Sequence, residues 1–419
     1  MFRIALMISF SRLLCILIVI SATLIAKECN ADNWPGWRGP TGDGISKESE
    51  VPLTWSSTEN VAWKTPIPGV GHSSPIVWDD AIIVTSAVES DLSRRVIRLD
   101  RDTGAVRWNK QVGVGPFEEM HRDNTPASAT PVTDGKHIYV AFCLDGKLQL
   151  TSLTLDGEIA WQIDVATFES RHGFCTGLIL DEDRLLVSGL QDGPDSCIAA
   201  FNKTTGEQIW RTRRPRAIRS FSSPCLCAID GQPAMIVSGA EQTIAYNRLT
   251  GKPLWQVDGP AEKTVSSVVC SETLNLAFVA GGRDNRLIAV RLSRDVDDAN
   301  SDRLIWSTTK GIPYMTSPLL SHDLLHVLSD EGVYHCYDAA TGTILRRRRT
   351  TGAIRASMVA TESRIYITDI EGRTTVLANN GDWNVLAVNH LEGTVLASPA
   401  ISDGDIIIRT DKDVYMVRE

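Results

Sequence analysis

The sequence predicts an all-β chain folded as an eight-bladed β-propeller of four-stranded antiparallel blades, closed by an N-terminal strand that joins the last blade. Three observations carry this. A short small-residue or proline element recurs eight times after residue 60. A turn ending in glycine and leading to tryptophan recurs late in most copies. The last copy lacks the strand that a segment ahead of the first copy resembles.

Composition sets the bounds. With 43% hydrophobic and 22% charged residues over 419 positions, the chain reads as soluble and globular, which excludes a disordered polymer or a collagen-like fibre. A net charge of -9 argues against a nucleic-acid partner on electrostatic grounds. Trp (11) outnumbers Phe (9) and Tyr (7), an inversion that calls for a positional explanation.

The first recurrent element appears as Ser73-Ser74-Pro75, Ala129-Thr130-Pro131, Cys175-Thr176-Gly177, Ser222-Ser223-Pro224, Ser266-Ser267-Val268, Thr316-Ser317-Pro318, Ala356-Ser357-Met358 and Ala397-Ser398-Pro399. The third positions lie 56, 46, 47, 44, 50, 40 and 41 residues apart. In the second element, Asp100–Gly104 leads to Trp108, Asn202–Gly206 to Trp210, Asn247–Gly251 to Trp255, and Asp156-Gly157 to Trp161. Trp306 ends a copy whose turn is expanded. Asp338–Gly342 and Asn379–Gly381 keep the turn but place Arg346 and Val385 where Trp would fall.

Between these elements lie β-rich runs such as Ala81–Ser86, Ile138–Phe142, Leu185–Ser188 and Ile406–Arg409, each bounded by Asp, Asn or Gly turns as hairpins require. Each copy therefore yields four strands, a to d, and no helix is expected over 60–419. Units of 40–50 residues with four strands are propeller blades. The eighth copy stops without a Trp-terminated strand, and Asn60-Val-Ala-Trp63-Lys64 resembles the missing one. It is expected to pair there as strand d, removing open sheet edges.

Residues 1–31 read as an export signal. Arg3 and Arg12 give the positive start, Leu13–Ala26 the apolar run, and Cys29 and Ala31 the small residues of a cleavage site. Fourteen apolar residues are short for a membrane span. If Ser9, Ser11 and Arg12 are tolerated, the run reaches back to Ile4 as an uncleaved anchor, the only membrane attachment expected. Cleavage removes three basic residues and one acid, leaving a net charge near -11. The expected organisation is a signal over 1–31, an N-terminal extension over 32–59 and a propeller over 60–419, in a periplasmic or secreted monomer. Its seven remaining cysteines (143, 175, 197, 225, 227, 270 and 336) are odd in number and scattered, so they form no disulfide framework. A Cys225–Cys227 bridge is disfavoured across an extended strand, and no further ligands accompany this pair for a metal.

The pattern Ala-x-Asp-x-x-Thr-Gly-x-x-x-Trp resembles the tryptophan-docking motif of pyrroloquinoline-quinone (PQQ) repeat propellers. Ala200–Trp210 and Ala245–Trp255 match it with Asn in the Asp place, and Arg98–Trp108 matches with Arg in the Ala place. The resemblance covers about 60–419. Trp34-Pro-Gly-Trp-Arg-Gly-Pro40 with Asp43-Gly-Ile45 is also similar to the leader of exported PQQ-repeat proteins of planctomycete-type bacteria. The family contains quinoprotein dehydrogenases and non-catalytic propellers of the BamB outer-membrane-assembly type. It implies that Trp63, Trp108, Trp161, Trp210, Trp255 and Trp306 dock between blades, each indole N–H finding a backbone partner.

The resemblance also supplies a test for chemistry. Quinoprotein members hold PQQ against a vicinal Cys-Cys disulfide, with Ca²⁺ on acidic and amide side chains and an Asp base. This sequence has no adjacent Cys pair and no CxxCH. PQQ and Ca²⁺ are therefore not expected, nor is any metal, and no catalytic residue is assigned. Walker, HExxH and GxSxG patterns are also missing.

The d-to-a connections emerge on the propeller face that commonly carries ligand sites. Two are arginine-rich: Arg211, Arg213, Arg214, Arg216 and Arg219, then Arg346–Arg349 with Arg355. His72, His121, Arg122, Arg171, His172 and Lys263 precede other a-strands. The candidate ligand set at the channel mouth is therefore His72, His121, Arg122, Arg171, His172, Arg219, Lys263 and Arg355. Converging, these groups would attract an anion to an acidic body. The plainer alternative is that the arginines cover apolar surface and pair with acids. Alternate side chains of Arg346–Arg349 point to opposite faces in any case. The leading expectation is a non-catalytic exported binding or scaffold module for a protein, glycan or anionic ligand. A degenerate PQQ-dependent oxidoreductase and a BamB-like assembly scaffold are the alternatives.

Overall fold

The computed structural model describes residues 33–214, 216–281, 286–294, 300–350 and 352–419. The expected signal over 1–31 lies outside the described residues. Eight four-stranded antiparallel sheets follow one another along the chain: 76–114, 132–167, 179–213, 225–258, 269–308, 319–349, 359–390 and 400–417, the last completed by Val61–Pro66. This is the eight-bladed propeller. Strands within a blade run a to d from the axis outward.

Burial explains each strand's composition. Inner strands such as Ala81–Val88 are buried on both faces and read as mostly apolar runs, interrupted here only by Thr85 and Ser86. Outer strands such as Val106–Val114 alternate exposed and covered positions. Two short helical turns, Glu89–Asp91 and Asn300–Arg303, depart from the expectation of none. Both sit in turns between strands, where local hydrogen bonding rather than a long apolar period shapes the chain. Among the described residues no helix is long and apolar enough to cross a membrane.

The small-residue element lies at the axis and ties neighbouring blades. Ser74 N–H donates to Thr130 Oγ1 at 3.0 Å, and Gly177 N–H to Ser223 Oγ at 3.0 Å. From there Ser223, Ser267, Ser317 and Ser357 each donate a backbone N–H to the hydroxyl of the next copy, ending on Ser398. Gly177 occupies the place of Ser74 and Thr130, so the third copy is shifted by one residue from the sequence alignment. A Cβ there would meet Ser223 Oγ at 3.2 Å and Trp37 Cβ at 3.6 Å, so a larger residue would crowd the axis.

Six tryptophans dock as the repeat implies. The indoles of Trp63, Trp108, Trp161, Trp210, Trp255 and Trp306 donate to the carbonyls of Arg101, Leu155, Lys203, Arg248, Leu292 and Ala339, each on the following blade. Two seams lack such an indole and are filled differently. In blade 6 Arg346 stands at the Trp position and pairs with Asp382 at 2.7 Å, while Trp383 of blade 7 packs on Tyr334, ring centroids 4.9 Å apart. In blade 7 the residue in register with the docking tryptophans is Ala387, opposite Val376 just before the bulge, rather than Val385. The same bulge recurs in the other blades; the offset comes from a c–d turn one residue longer, Leu377 pairing with Val385 where Phe201 pairs with Gln208. Trp55, from the segment before the propeller, is buried in the cluster against which Ala387 packs.

Closure is made by Val61–Pro66, which pairs antiparallel with Asp413–Val417. Buried side chains reinforce it. Arg409 donates to Ser73 O at 3.0 Å and Thr85 O at 2.8 Å, and Arg101 reaches Asp405 at 2.7 Å.

Candidate functional site

The two faces of the ring differ. Residues 33–59 run as a strap over the end where strands a turn into b. Trp34 pairs with Val77 of blade 1, and Pro35 O accepts from Thr133 N in blade 2. Arg38 donates to Pro318 O of blade 6 at 2.7 Å, and Ile45 bridges Ala360 of blade 7. Glu48 then accepts from the Asp403 and Gly404 N–H groups of blade 8. The strap thus crosses from one side of the ring to the other. Trp37 lies in the channel among the hydroxyls of Ser74, Thr130, Ser223 and Ser267.

The opposite face keeps a cavity of about 300 Å³ at the channel mouth, built from d-to-a connections and one b–c turn. His72, His121, His172 and Arg355 line it, beside Asp123, Asp330 and an apolar wall of Phe221, Tyr314, Met315 and Leu396. Four of the eight candidate residues therefore share one cavity. Arg219 stands behind it: its Nε donates to His172 Nδ1 at 3.0 Å and its Nη1 grips Asp192 at 2.8 Å. Lys263 pairs with Glu262 at 3.4 Å. Arg122 and Arg171 are exposed and lie outside the lining.

The arginine-rich connections are largely spent on structure. Arg214 is buried and donates to Tyr246 Oη and Gly239 O. Arg211 donates to Val165 O, and Arg216 pairs with Glu241. Arg346 to Arg349 lie on the outer strand Ile344–Arg349, away from the mouth cavity; Arg347 lines a separate one with His335. The mouth is accordingly mixed in charge rather than a cationic funnel. The sequence could not pair arginines with acids that lie far along the chain.

Electrostatics favour the neutral imidazole at His72 and at His172. Burial, with help from Arg409, lowers the His72 pKa to about 4. Its Nδ1 is buried and has no hydrogen-bond partner among the described residues. Burial and then Arg219 lower His172, and the Arg219 bond leaves the His172 proton on Nε2. Asp123 sits 3.7 Å from Arg355 and 3.7 Å from Arg122. Asp330 accepts the N–H groups of Tyr314 and Met315, yet burial pushes its pKa up. Cys175 also lines the cavity, and burial pushes its thiol up to about 12. The site offers hydrogen-bond donors and acceptors over an apolar wall.

This donor set does not match PQQ with Ca²⁺. A tricarboxylate quinone would meet two carboxylates, Asp123 and Asp330, against one lining guanidinium, Arg355. Among the described residues no group of three or more His, Cys, Asp or Glu is placed to share a metal ion.

The profile of a family described as outer membrane protein assembly factor BamB matches residues 53–167, 93–348 and 295–418. Among solved structures, BamB from Moraxella catarrhalis is similar with a TM-score of 0.61 at 14% identity, covering 86% of this chain and 99% of its own. A quinohemoprotein alcohol dehydrogenase from Pseudomonas putida HK5 gives 0.63 at 12% identity, covering 92% and 80%. A europium-containing methanol dehydrogenase gives 0.55 at 12% identity, covering 91% and 90%. At such identities the structural likeness speaks to the fold alone. No curated protein matches the chain.

Proposed function

Because the chain belongs to the outer membrane protein assembly factor BamB family of PQQ-like repeat propellers, we propose that it is an exported, non-catalytic scaffold presenting its mouth face to a protein partner. The observation that carries this reading is the asymmetry of the ring. One face is occupied by the chain's own strap, from Trp34 to Glu48. The other keeps a concave surface whose apolar wall and paired charges, Phe221, Tyr314 and Met315 beside Arg355 and Asp123, suit a protein segment better than a compact anion.

Rigidity supports the same reading. Indole docks, axial hydroxyl bonds and buried arginines hold the blades, so a partner would meet a preformed surface and lose little to ordering. The scaffold would be a monomer without PQQ or metal, and export follows from the signal-like sequence over 1–31.

The test is site-specific photo-crosslinking in the native host. A crosslinker at Arg122 or Arg171, both exposed beside the mouth, should capture a discrete protein, whereas one at Leu249, in the exposed c–d turn of blade 4, should not. Capture from Leu249 alone, or from no position, would overturn the proposal. Dye-linked alcohol oxidation on adding PQQ and Ca²⁺ would overturn its non-catalytic part. N-terminal sequencing of the cellular protein should begin at Asp32.

A further inference from the structure

Cys225 and Cys270 lie on the innermost strands of blades 4 and 5, Cys225–Ile229 and Val269–Ser271. Their sulfurs approach to 3.3 Å across the seam. Both are only partly covered, whereas Cys143, Cys197, Cys227 and Cys336 are buried. They line a cavity of about 280 Å³ beneath the strap, with Trp37 and Asp43, so a small reagent has room to reach them. The strap supplies a second observation. Arg38 is 1% exposed, and among the described residues its Nε and Nη1 have no hydrogen-bond partner. The hydrogen bond with Cys270 and burial push the Cys225 thiol up, with Arg38 opposing, while hydrogen bonds with Cys225 and Cys227 hold Cys270 low and make it the attacking thiolate.

We propose that Cys225 and Cys270 are an oxidisable pair that forms a disulfide between blades 4 and 5 by exchange with a small-molecule disulfide. Bonding needs the sulfurs to close to about 2 Å, a shift of little more than one ångström that side-chain rotation can supply. One cysteine, as thiolate, attacks a sulfur of the oxidant, whose S–S bond breaks and releases one thiol. The second cysteine then attacks the mixed disulfide and releases the other. Two protein thiols are oxidised by two electrons, the oxidant is reduced to two thiols, and the two cysteine protons leave on them. The product clamps the axis at the seam beside Trp37.

The whole chain, reduced and then equilibrated with glutathione disulfide, is quenched, denatured and alkylated. Reactive thiols should fall by two relative to the reduced sample, and non-reducing peptide mapping should find the segment holding Cys225 joined to the one holding Cys270. The linkage should survive Cys227→Ser and vanish in Cys225→Ser. An unchanged thiol count in the wild type would overturn the pair, as would a persistent glutathione adduct without the linkage. A linkage that survives Cys225→Ser would move the site to Cys227 and equally overturn it. None of these outcomes depends on a partner binding at the mouth.

Discussion

The indole N–H of Trp63 donates to Arg101 O at 2.7 Å, joining the segment before the first blade to that blade's c–d turn. The ring lies on Gly104, whose φ is +70° and where a Cβ would stand 2.5 Å from the indole. A tryptophan on one blade thus dictates a glycine on the next.

Trp63→Ala should lower the unfolding free energy by about 3–5 kcal/mol, as large aromatic truncations in cores do. Gly104→Ala should cost about 1–3 kcal/mol, from the left-handed backbone and the clash together. The two should be coupled, since the clash disappears with the indole. A double-mutant cycle by urea unfolding checks this, and strict additivity would refute the docking geometry.

Asp405 is buried and accepts Arg101 at 2.7 Å and Arg418 at 2.7 Å. Replacing it by Asn strips the counter-charge from a buried guanidinium, and about 3–5 kcal/mol of stability should go with it. Unfolding that matches the wild type within about 0.5 kcal/mol would mean that the ion pair is dispensable to closure.

Acid should weaken the ring through His326. Burial lowers its pKa to about 4 while Nδ1 bonds Tyr334 Oη at 2.6 Å. The unfolded chain takes up the proton near pH 6.5 and the folded chain only near 4, so stability falls as pH drops through that window. This one group accounts for about 3 kcal/mol across it. Unfolding free energies at pH 7 and 4.5 should differ less in His326→Phe than in the wild type.

At the mouth, Arg219 is the second cause, after burial, of the lowered His172 pKa. Arg219→Ala should therefore move the His172 titration upward, toward the ordinary imidazole value, as followed by NMR of its ring protons. An unmoved titration would mean that burial alone holds it down.

The propeller was legible because its signals are local and repeated. Turn, strand and docking tryptophan recur at short range, and the closing strand carries the same mark at Trp63. The misplaced features depend on distant partners. Gly177 replaces a hydroxyl residue beside Trp37, which shifts one copy by a position, and a longer c–d turn moves the docking place of blade 7 to Ala387. Arg346 and Ala387 leave seams that Trp383 and Trp55 fill from elsewhere in the chain. At the mouth, His72, His121, His172 and Arg355 meet as the connections suggested. Arg214 and Arg216 are drawn instead to Tyr246 and Glu241, which no local pattern could reveal. The strap was the least legible part, since Arg38 and Glu48 contact blades hundreds of residues away.

The pairing of Val61–Pro66 with Asp413–Val417 also sets a clock. Closing a loop of about 350 residues costs roughly 4 kcal/mol more in chain entropy than closing a short hairpin. The segments made first during synthesis therefore wait for those made last. Until then a strand edge and the indoles of Trp55 and Trp63 have no neighbour, and such surfaces are where growing chains aggregate. The closing strand joins the two ends of the ring only once both exist, so a growing chain gains from being held until its final residues arrive.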